Sequence, residues 1–250
     1  MKAPCAARDP RLDAIFRRLY GRFGPQRWWP AESPFEVIVG AVLAQNTSWK
    51  NVEKAVENLK RRRALSPRAI QRMPLSRLAK LIRPSGYFRL KARRLKSVVA
   101  WYLEEYGGSV ESLRRAPLGR TRERLLAVWG VGPETADSIL CYAAGKNTFV
   151  VDAYARRVLS RHGILPAETS YEEIREYFQK RLLPKNRVYN ELHALIVEAG
   201  KRYCGPEPRC EECPLKPLLR GHPKQTNRTR RSFGLFGVSP TRAARAGRTS

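Results

Sequence analysis

An aspartate, eighteen residues after a glutamate, is the strongest catalytic candidate in this sequence. Glu134 lies in the segment GVGPETA, and Asp152 follows a short apolar run. Gly130 and Gly132 bracket one apolar residue and allow a tight turn, and Pro133 suits the first turn of a helix, where its missing N–H is not needed. The free amides at such a helix start favour a phosphate group. The pattern indicates a helix-hairpin-helix motif that binds a nucleic-acid backbone near a carboxylate.

A longer stretch around this hairpin carries a family resemblance. Residues 125–158, LLAVWGVGPETADSILCYAAGKNTFVVDAYARRV, combine the hairpin, a second helix and the aspartate. In that combination they resemble the hairpin and catalytic aspartate of the endonuclease III (HhH-GPD) superfamily of DNA glycosylases. The stretches at 28–52 (WWP, then PFEVIVGAVLAQNTSWKNV) and 83–95 (RPSGYFRLKARRL) resemble most closely its alkylbase glycosylases. The resemblance implies base excision repair of double-stranded DNA, with alkylated purines such as 3-methyladenine as expected substrates.

The two acidic residues receive separate roles from the resemblance. Asp152 matches the catalytic aspartate, whose carboxylate would stabilise positive charge on the sugar and orient or deprotonate water. Helix N-capping is its other role, and the two are compatible. Superfamily members that also cut the strand have a lysine where this chain has Glu134, and a carboxylate cannot form an imine. This implies a monofunctional glycosylase, unless another lysine such as Lys146 substitutes or Glu134 merely complements the helix dipole.

Two further groups of residues are expected to contact DNA. Gln45 matches a glutamine that fills the gap left by an extruded base, although it could also be an ordinary helix-end residue. The hairpin residues expected to contact the backbone are Gly130, Val131, Gly132 and Thr135. The basic runs KRRR (60–63) and KARR (91–94) are either phosphate contacts or solvated helix faces.

Three tryptophans flank the Gln45 segment. Trp28, Trp29 and Trp49 are expected to form the base pocket, since indole rings can sandwich a base and gain cation–π energy when it is positively charged. Alkylation at a ring nitrogen creates such a charge on a purine. The alternative is that Trp28 and Trp29 only fill space between the terminal segment and the bundle.

A cysteine-rich segment, YCGPEPRCEECP at 203–214, resembles the four-cysteine 4Fe–4S loop of the family. Only Cys204, Cys210 and Cys213 are present, the first spacing is one residue short, and Leu219 occupies the place of the fourth cysteine. The site is therefore either a cluster with an unusual ligand or a degenerate site, and C-x2-C also permits zinc. The candidates for an unusual ligand are Cys5, Cys141 and His222.

Composition narrows the classes of partner. The chain has 250 residues and a net charge of +27; eight of its 49 Lys and Arg residues lie in 220–250, which hold no acid, so the rest keeps +19. Such a charge favours polyanions by counterion release. No apolar run approaches the roughly 20 residues that span a bilayer. The first sixteen residues lack the apolar region typical of a signal peptide, so we expect none there. We expect a monomeric, cytoplasmic, nucleoid-associated protein that binds DNA and not a membrane.

Helical spacing of apolar residues extends through most of the chain and predicts an all-α fold. By resemblance, a central bundle at 28–146 carries the hairpin (about 121–145), and a second domain combines 1–27 with 147–220, with the DNA cleft between them. The basic tail at 221–250 is expected to be disordered. The rival functions are a bifunctional glycosylase/lyase on oxidised pyrimidines and a noncatalytic DNA-binding module.

Overall fold

Helices dominate the part of the chain that the structure, a computed structural model, describes, which is residues 6–219. The helices are α1 Pro10–Phe23, α2 Pro34–Leu43, α3 Trp49–Arg61, α4 Pro67–Arg72, α5 Leu75–Leu81, α6 Phe88–Tyr106, α7 Val110–Arg115, α8 Leu118–Leu126, α9 Pro133–Ser138, α10 Ala153–Arg161, α11 Tyr171–Arg181 and α12 Asn186–Arg202. Helix α9 continues into a π-helical turn, Ile139–Ala143. Over these residues, extended backbone pairs only in isolated bridges, which confirms the all-α prediction.

Local sequence determines where several helices begin. Ser33 precedes Pro34, and its side chain accepts a hydrogen bond from the Glu36 amide at 3.2 Å. Ser170 and Glu173 form a reciprocal capping box at the start of α11. Such caps satisfy amides that have no partner within the helix, and proline is tolerated at the first helical position.

The buried apolar side chains form two clusters. One draws on residues 37–144, and the other combines residues 6–19 from the N-terminal end with residues 141–215. The π-helical turn contributes to both, since Ile139 belongs to the first cluster and Cys141 to the second. The domain boundaries at 27/28 and 146/147 stay a prediction, which the division of the core into these two clusters supports.

Helix contacts within the two clusters frame the candidate site. Helix α12 packs against α1 and α10, while α2 packs against α9 and the π-helical turn. Asp152 therefore lies at the start of a helix in one cluster, close to the hairpin of the other. Among the described helices, none combines the length and apolarity needed to cross a membrane. The predicted tail at 221–250 lies outside the described residues.

Candidate active site and DNA-binding hairpin

The hairpin between α8 and α9 depends on a glycine for two reasons. Gly130 has φ +85°, a conformation that costs energy for any residue with a side chain. A Cβ atom at Gly130 would also lie 2.3 Å from Cγ of Arg94. The turn thus uses the backbone freedom of glycine, and the absence of a side chain at Gly130 leaves room for Arg94. Gly132 follows as the N-cap of α9, and Val131 between the two glycines is buried.

Gln45 connects the end of α2 to this hairpin. Its Nε2 atom donates to the Gly130 carbonyl and to Oγ1 of the buried Thr135, both at 3.1 Å, and Arg94 donates to its Oε1. Gln45 is 2 % exposed. Filling a gap in DNA stays a prediction for this residue, and it would require these three hydrogen bonds to be exchanged for bonds to a base.

A buried lysine joins the end of α2 to the turn that precedes α6. Lys91 donates from Nζ to the Leu43 carbonyl at 2.8 Å and to the Ser85 carbonyl at 2.5 Å. Burial, with a smaller effect of the Arg94 charge, lowers the pKa of Lys91 to about 8. Lys91 is therefore not the phosphate contact or solvated residue that its basic run suggested. A buried lysine and an exposed one look alike in such a run.

Asp152 caps a helix with one carboxylate oxygen and faces a histidine with the other. Its Oδ1 accepts a hydrogen bond from the Ala155 amide at 2.7 Å, which makes it the N-cap of α10. Its Oδ2 faces Nε2 of His193 at 3.6 Å, and both side chains are buried. One carboxylate oxygen is thus fixed by the backbone, while the second faces a titratable ring.

His193 connects Asp152 to the aromatic cluster. Nδ1 of His193 lies 2.6 Å from the Tyr142 hydroxyl, whereas its Nε2 is buried without a hydrogen-bond partner among the described residues. Burial first, and then nearby acidic groups including Asp152, raise the pKa of Tyr142 well above 10.0. A hydroxyl that keeps its proton can donate to Nδ1, which leaves the ring N–H on Nε2, facing Asp152. Helical spacing in the sequence cannot show what this ring faces.

Glu134 lies in the first turn of α9, partly buried. Burial first, and then the negative charge of Asp152, raise its pKa well above the ordinary 4.5, with Arg156 opposing the shift. Two carboxyl groups that share a site favour one protonated member. Lys146, the lysine considered as a substitute, instead donates to the carbonyls of Arg114 and Ala116. Its amine is therefore engaged at the base of α7.

The three tryptophans form a contiguous aromatic cluster. The ring centroids of Trp29 and Trp49 are 4.9 Å apart at 84°, and those of Trp28 and Trp29 are 5.6 Å apart at 63°. Trp29 also lies 5.4 Å from Tyr142, which connects the cluster to His193. Gly40 admits the Trp29 ring, because a Cβ atom there would lie 3.1 Å from Cζ2. The rings are mutually inclined, so a parallel sandwich around a base would require one of them to turn.

An open groove of about 400 Å³ lies beside this cluster and is lined by Trp29 and Trp49 but not by Asp152. Trp28 lies apart from the groove, with Lys201 Nζ 5.7 Å from its ring centroid and its own Nε1 buried without a partner among residues 6–219. A role in base binding stays a prediction for all three tryptophans. Their connection to Asp152 runs through Tyr142 and His193.

The comparisons with known proteins identify the family of this chain. A family model described as HhH-GPD superfamily base excision DNA repair protein matches residues 39–184. The chain belongs to this superfamily. Over 81% of its length it is 46% identical to a candidate DNA repair glycosylase of Methanocaldococcus jannaschii, covering 92% of that protein. Over 88% of its length it is 34% identical to the whole of an endonuclease III from Thermotoga maritima.

Solved HhH-GPD structures share the fold. A 3-methyladenine DNA glycosylase of H. pylori (MagIII), bound to 1,N6-ethenoadenine, has a TM-score of 0.67 and 31% identity, with 77% of this chain and 97% of that one covered. An endonuclease III trapped as a covalent intermediate with DNA has a TM-score of 0.70 and 26% identity, over 82% of this chain and 92% of that one. The expected membership of the endonuclease III superfamily is confirmed.

A buried acid on α9, Asp137, connects this helix to α8 and α11 and has no signal in the sequence. Asp137 is fully buried and accepts two hydrogen bonds from Arg122, at 2.9 and 3.0 Å. It also accepts from Oγ1 of Thr148 at 2.7 Å and from the hydroxyl of Tyr171 at 3.0 Å. Burial alone would lower the pKa of Arg122, but Asp137 and Glu172 raise it above its ordinary value. No residue pattern distinguishes a paired buried aspartate from a solvated one.

The cysteine-rich loop lies at the far end of the second apolar cluster. Cys204, Cys210 and Cys213 line one small cavity and form no disulfide. Over residues 6–219, no three His, Cys, Asp or Glu side chains are grouped so as to hold a single metal ion. Of the suggested fourth ligands, the buried Cys141 contacts Asn186 and does not line the cavity, whereas Cys5 and His222 lie outside the described residues.

Proposed function

We propose that this base excision repair DNA glycosylase of the HhH-GPD superfamily hydrolyses the N-glycosidic bond of an alkylated purine and leaves the strand intact. The observation that supports this most directly is the pair Glu134 and Asp152. Where strand-cutting relatives have an amine, this chain has a carboxyl group whose pKa is raised, and the amine of Lys146, the nearest lysine in sequence, is held by the carbonyls of Arg114 and Ala116. A carboxyl group cannot form the imine on which strand cutting depends.

Asp152 supplies the charge that the reaction needs. Breaking the bond between base and sugar develops positive charge on the sugar. The Asp152 carboxylate, held by the Ala155 amide and largely withdrawn from water, stabilises that charge where screening is weak. Its Oδ2 accepts a proton from the attacking water, with His193 opposite it to fix the carboxylate orientation.

The aromatic cluster supports an alkylated purine as the substrate class. An alkyl group on a ring nitrogen gives the purine a positive charge, which the faces of Trp29 and Trp49 attract. The structural likeness to a 3-methyladenine DNA glycosylase bound to 1,N6-ethenoadenine supports the same class. The hairpin at Gly130–Gly132 and the net charge of +27 provide the contact with the DNA backbone.

A panel of duplexes with single lesions tests this proposal. The panel contains 3-methyladenine, 7-methylguanine, ethenoadenine, an oxidised pyrimidine, uracil and a thymine mismatch, and each product is scored for strand breaks with and without alkali. We expect base release from alkylated purines and strand breaks only after alkali. Release of oxidised pyrimidines alone would contradict the substrate class.

A second function has an observation in its favour, the 34% identity to an endonuclease III across that whole protein. A bifunctional enzyme would form an imine with its substrate, and borohydride would trap it as a covalent protein–DNA adduct. We expect no adduct from the natural chain. The variant Glu134→Lys, which places an amine at the same position, is the positive control for trapping. A noncatalytic DNA-binding module would release no base from any duplex of the panel.

A further inference from the structure

The cavity beneath the cysteine-rich loop contains a fourth side chain that can bind a metal. His162 lines it together with Cys204, Cys210 and Cys213. Its ring is 6 % exposed, and its Nδ1 is buried without a hydrogen-bond partner among the described residues. An unpartnered buried polar atom costs free energy, so one lying beside three thiols indicates a ligand that completes the site.

The other ring nitrogen of His162 is already engaged. The ring interacts with the backbone of Leu218, and this interaction favours a proton on the ring. Because Nδ1 has no hydrogen-bond partner among the described residues, we assign the ring proton to Nε2, which leaves Nδ1 a free lone pair. Histidines that bind metals typically donate their other N–H to a backbone carbonyl in this way.

The position of this contact matches the gap in the sequence motif. Leu218 directly precedes Leu219, the residue that stands where the fourth cysteine is expected, and Leu219 lines the same cavity. The imidazole thus comes from the end of α10 to the place that a thiol would have occupied. Sequence alone could not indicate this, because His162 is 42 residues before Cys204.

A cationic side chain completes the surroundings. Arg161 donates to Sγ of Cys204 at 3.3 Å and to the carbonyls of Gly205 and Pro206 at 2.6 and 3.1 Å. A guanidinium beside the sulfur favours thiolates and offsets the negative charge of a cluster that they bind. The same arginine fixes the loop after Cys204 against α10.

We propose that Cys204, Cys210, Cys213 and His162 hold a 4Fe–4S cluster, with His162 Nδ1 in place of the missing fourth thiolate. Each ligand of a cubic cluster binds a different iron atom, so the four ligand atoms lie around the whole cluster and do not converge on one metal ion. This fits a set of donors that lines one cavity without converging on a single ion. Three thiolates and one neutral imidazole also give a less negative site than four thiolates.

Metal content and spectroscopy of the full chain, purified without oxygen, test the assignment independently of glycosylase activity. We expect about four iron and four sulfide ions per chain, by the stoichiometry of the cluster, and a broad visible absorption band. With ¹⁵N-histidine, pulsed EPR of the paramagnetic cluster should detect one directly bound nitrogen. His162→Ala should lower the iron content at least about tenfold, since even second-shell changes weaken metal binding 10- to 100-fold.

Two further variants separate a ligand from a merely structural residue. His162→Ala combined with Leu219→Cys should restore iron without the nitrogen coupling and with a lower reduction potential, because imidazole ligands raise the potential. Cys141→Ser, a change at a cysteine outside the cavity, should leave the iron content unchanged. A chain that carries zinc or no metal, a His162→Ala variant with full iron content, or a cluster without nitrogen coupling would overturn the assignment.

Discussion

Two buried aspartates lie in different environments, Asp137 on helix α9 and Asp152 at the start of helix α10. Asp137 has every partner that it can use: Arg122 on both oxygens, together with Thr148 and Tyr171. Asp152, which Glu134 of α9 faces, has one backbone amide and a histidine nitrogen at 3.6 Å. Direct hydrogen bonds occupy both carboxylate oxygens of Asp137. In the second cluster, Oδ2 of Asp152 and Nε2 of His193 lack a direct hydrogen bond among the described residues.

The difference assigns the two clusters to different tasks. A buried charge with complete hydrogen bonding is held in place and has no capacity left for a substrate. A buried carboxylate with a free oxygen beside a raised-pKa acid is costly for folding and suited to chemistry. We therefore expect changes at Asp137 to act on stability and changes at Asp152 to act on the reaction, and the following variants test that separation.

The largest effect is expected from Asp152→Asn. Loss of the carboxylate should lower the single-turnover rate of base release by about 10²- to 10⁴-fold, as is typical of removing an acid–base group. Asparagine also caps helices well, so the thermal midpoint should stay close to that of the natural chain. The affinity for lesion-containing DNA serves as the control and should be retained. A variant that unfolds, or one that still releases the base at the natural rate, would remove the distinction between the clusters.

The next largest effect is expected from Asp137→Asn. Removing one member of a buried ion pair should lower the free energy of unfolding by about 3–5 kcal/mol, measured by denaturant titration. The matched control is Glu172→Gln, which removes the more exposed acid that pairs with the same arginine, at 2.5 Å. That change should cost at most about 1 kcal/mol, because exposed pairs contribute little. Equal losses in both variants would show that burial does not set the strength of this cluster.

A smaller effect on catalysis is expected from His193→Ala. Nε2 of His193 and Oδ2 of Asp152 lie 3.6 Å apart, which is too long for a hydrogen bond. A hydrogen bond to the carboxylate that forms only in the transition state would contribute about 1.5–3 kcal/mol, so its loss should slow base release by about 10- to 100-fold. The control is Tyr142→Phe, which keeps the ring against Trp29 and removes only the hydroxyl that contacts Nδ1. It should slow the reaction less than His193→Ala. An unchanged rate in the histidine variant would leave Asp152 acting alone.

The smallest effect concerns the pH dependence at Glu134. Its pKa is raised on folding, so the folded chain binds more protons than the unfolded one above pH 4.5, and the stability falls as the pH rises from there. Glu134→Gln mimics the protonated acid and removes this loss. The difference in melting temperature between variant and natural chain should therefore grow as the pH rises above 4.5. The exposed Glu168, changed to Gln, should show no such growth.

The sequence predicted the elements better than the contacts. Long amphipathic helices such as α1 and α3 follow from their apolar spacing, whereas α4 and α7, six residues each, are too short to display a period. The π-helical turn after α9 also has no signature in a single sequence, although it carries Tyr142 into contact with His193. The sequence shows local helix preferences, but a change from α-helical to π-helical hydrogen bonding depends on which side chains pack against the helix.

The sequence by itself determined that this chain is helical, carries a tight glycine hairpin followed by an aspartate, and has a glutamate at position 134. These are local properties of residue type and spacing. Only the tertiary structure decided that Asp137 is saturated, that Asp152 faces His193, and that His162 lies with three cysteines. Each of these contacts joins residues more than ten positions apart in the sequence. Such contacts depend on how the helices pack, because packing decides which buried polar groups find hydrogen-bond partners and which do not.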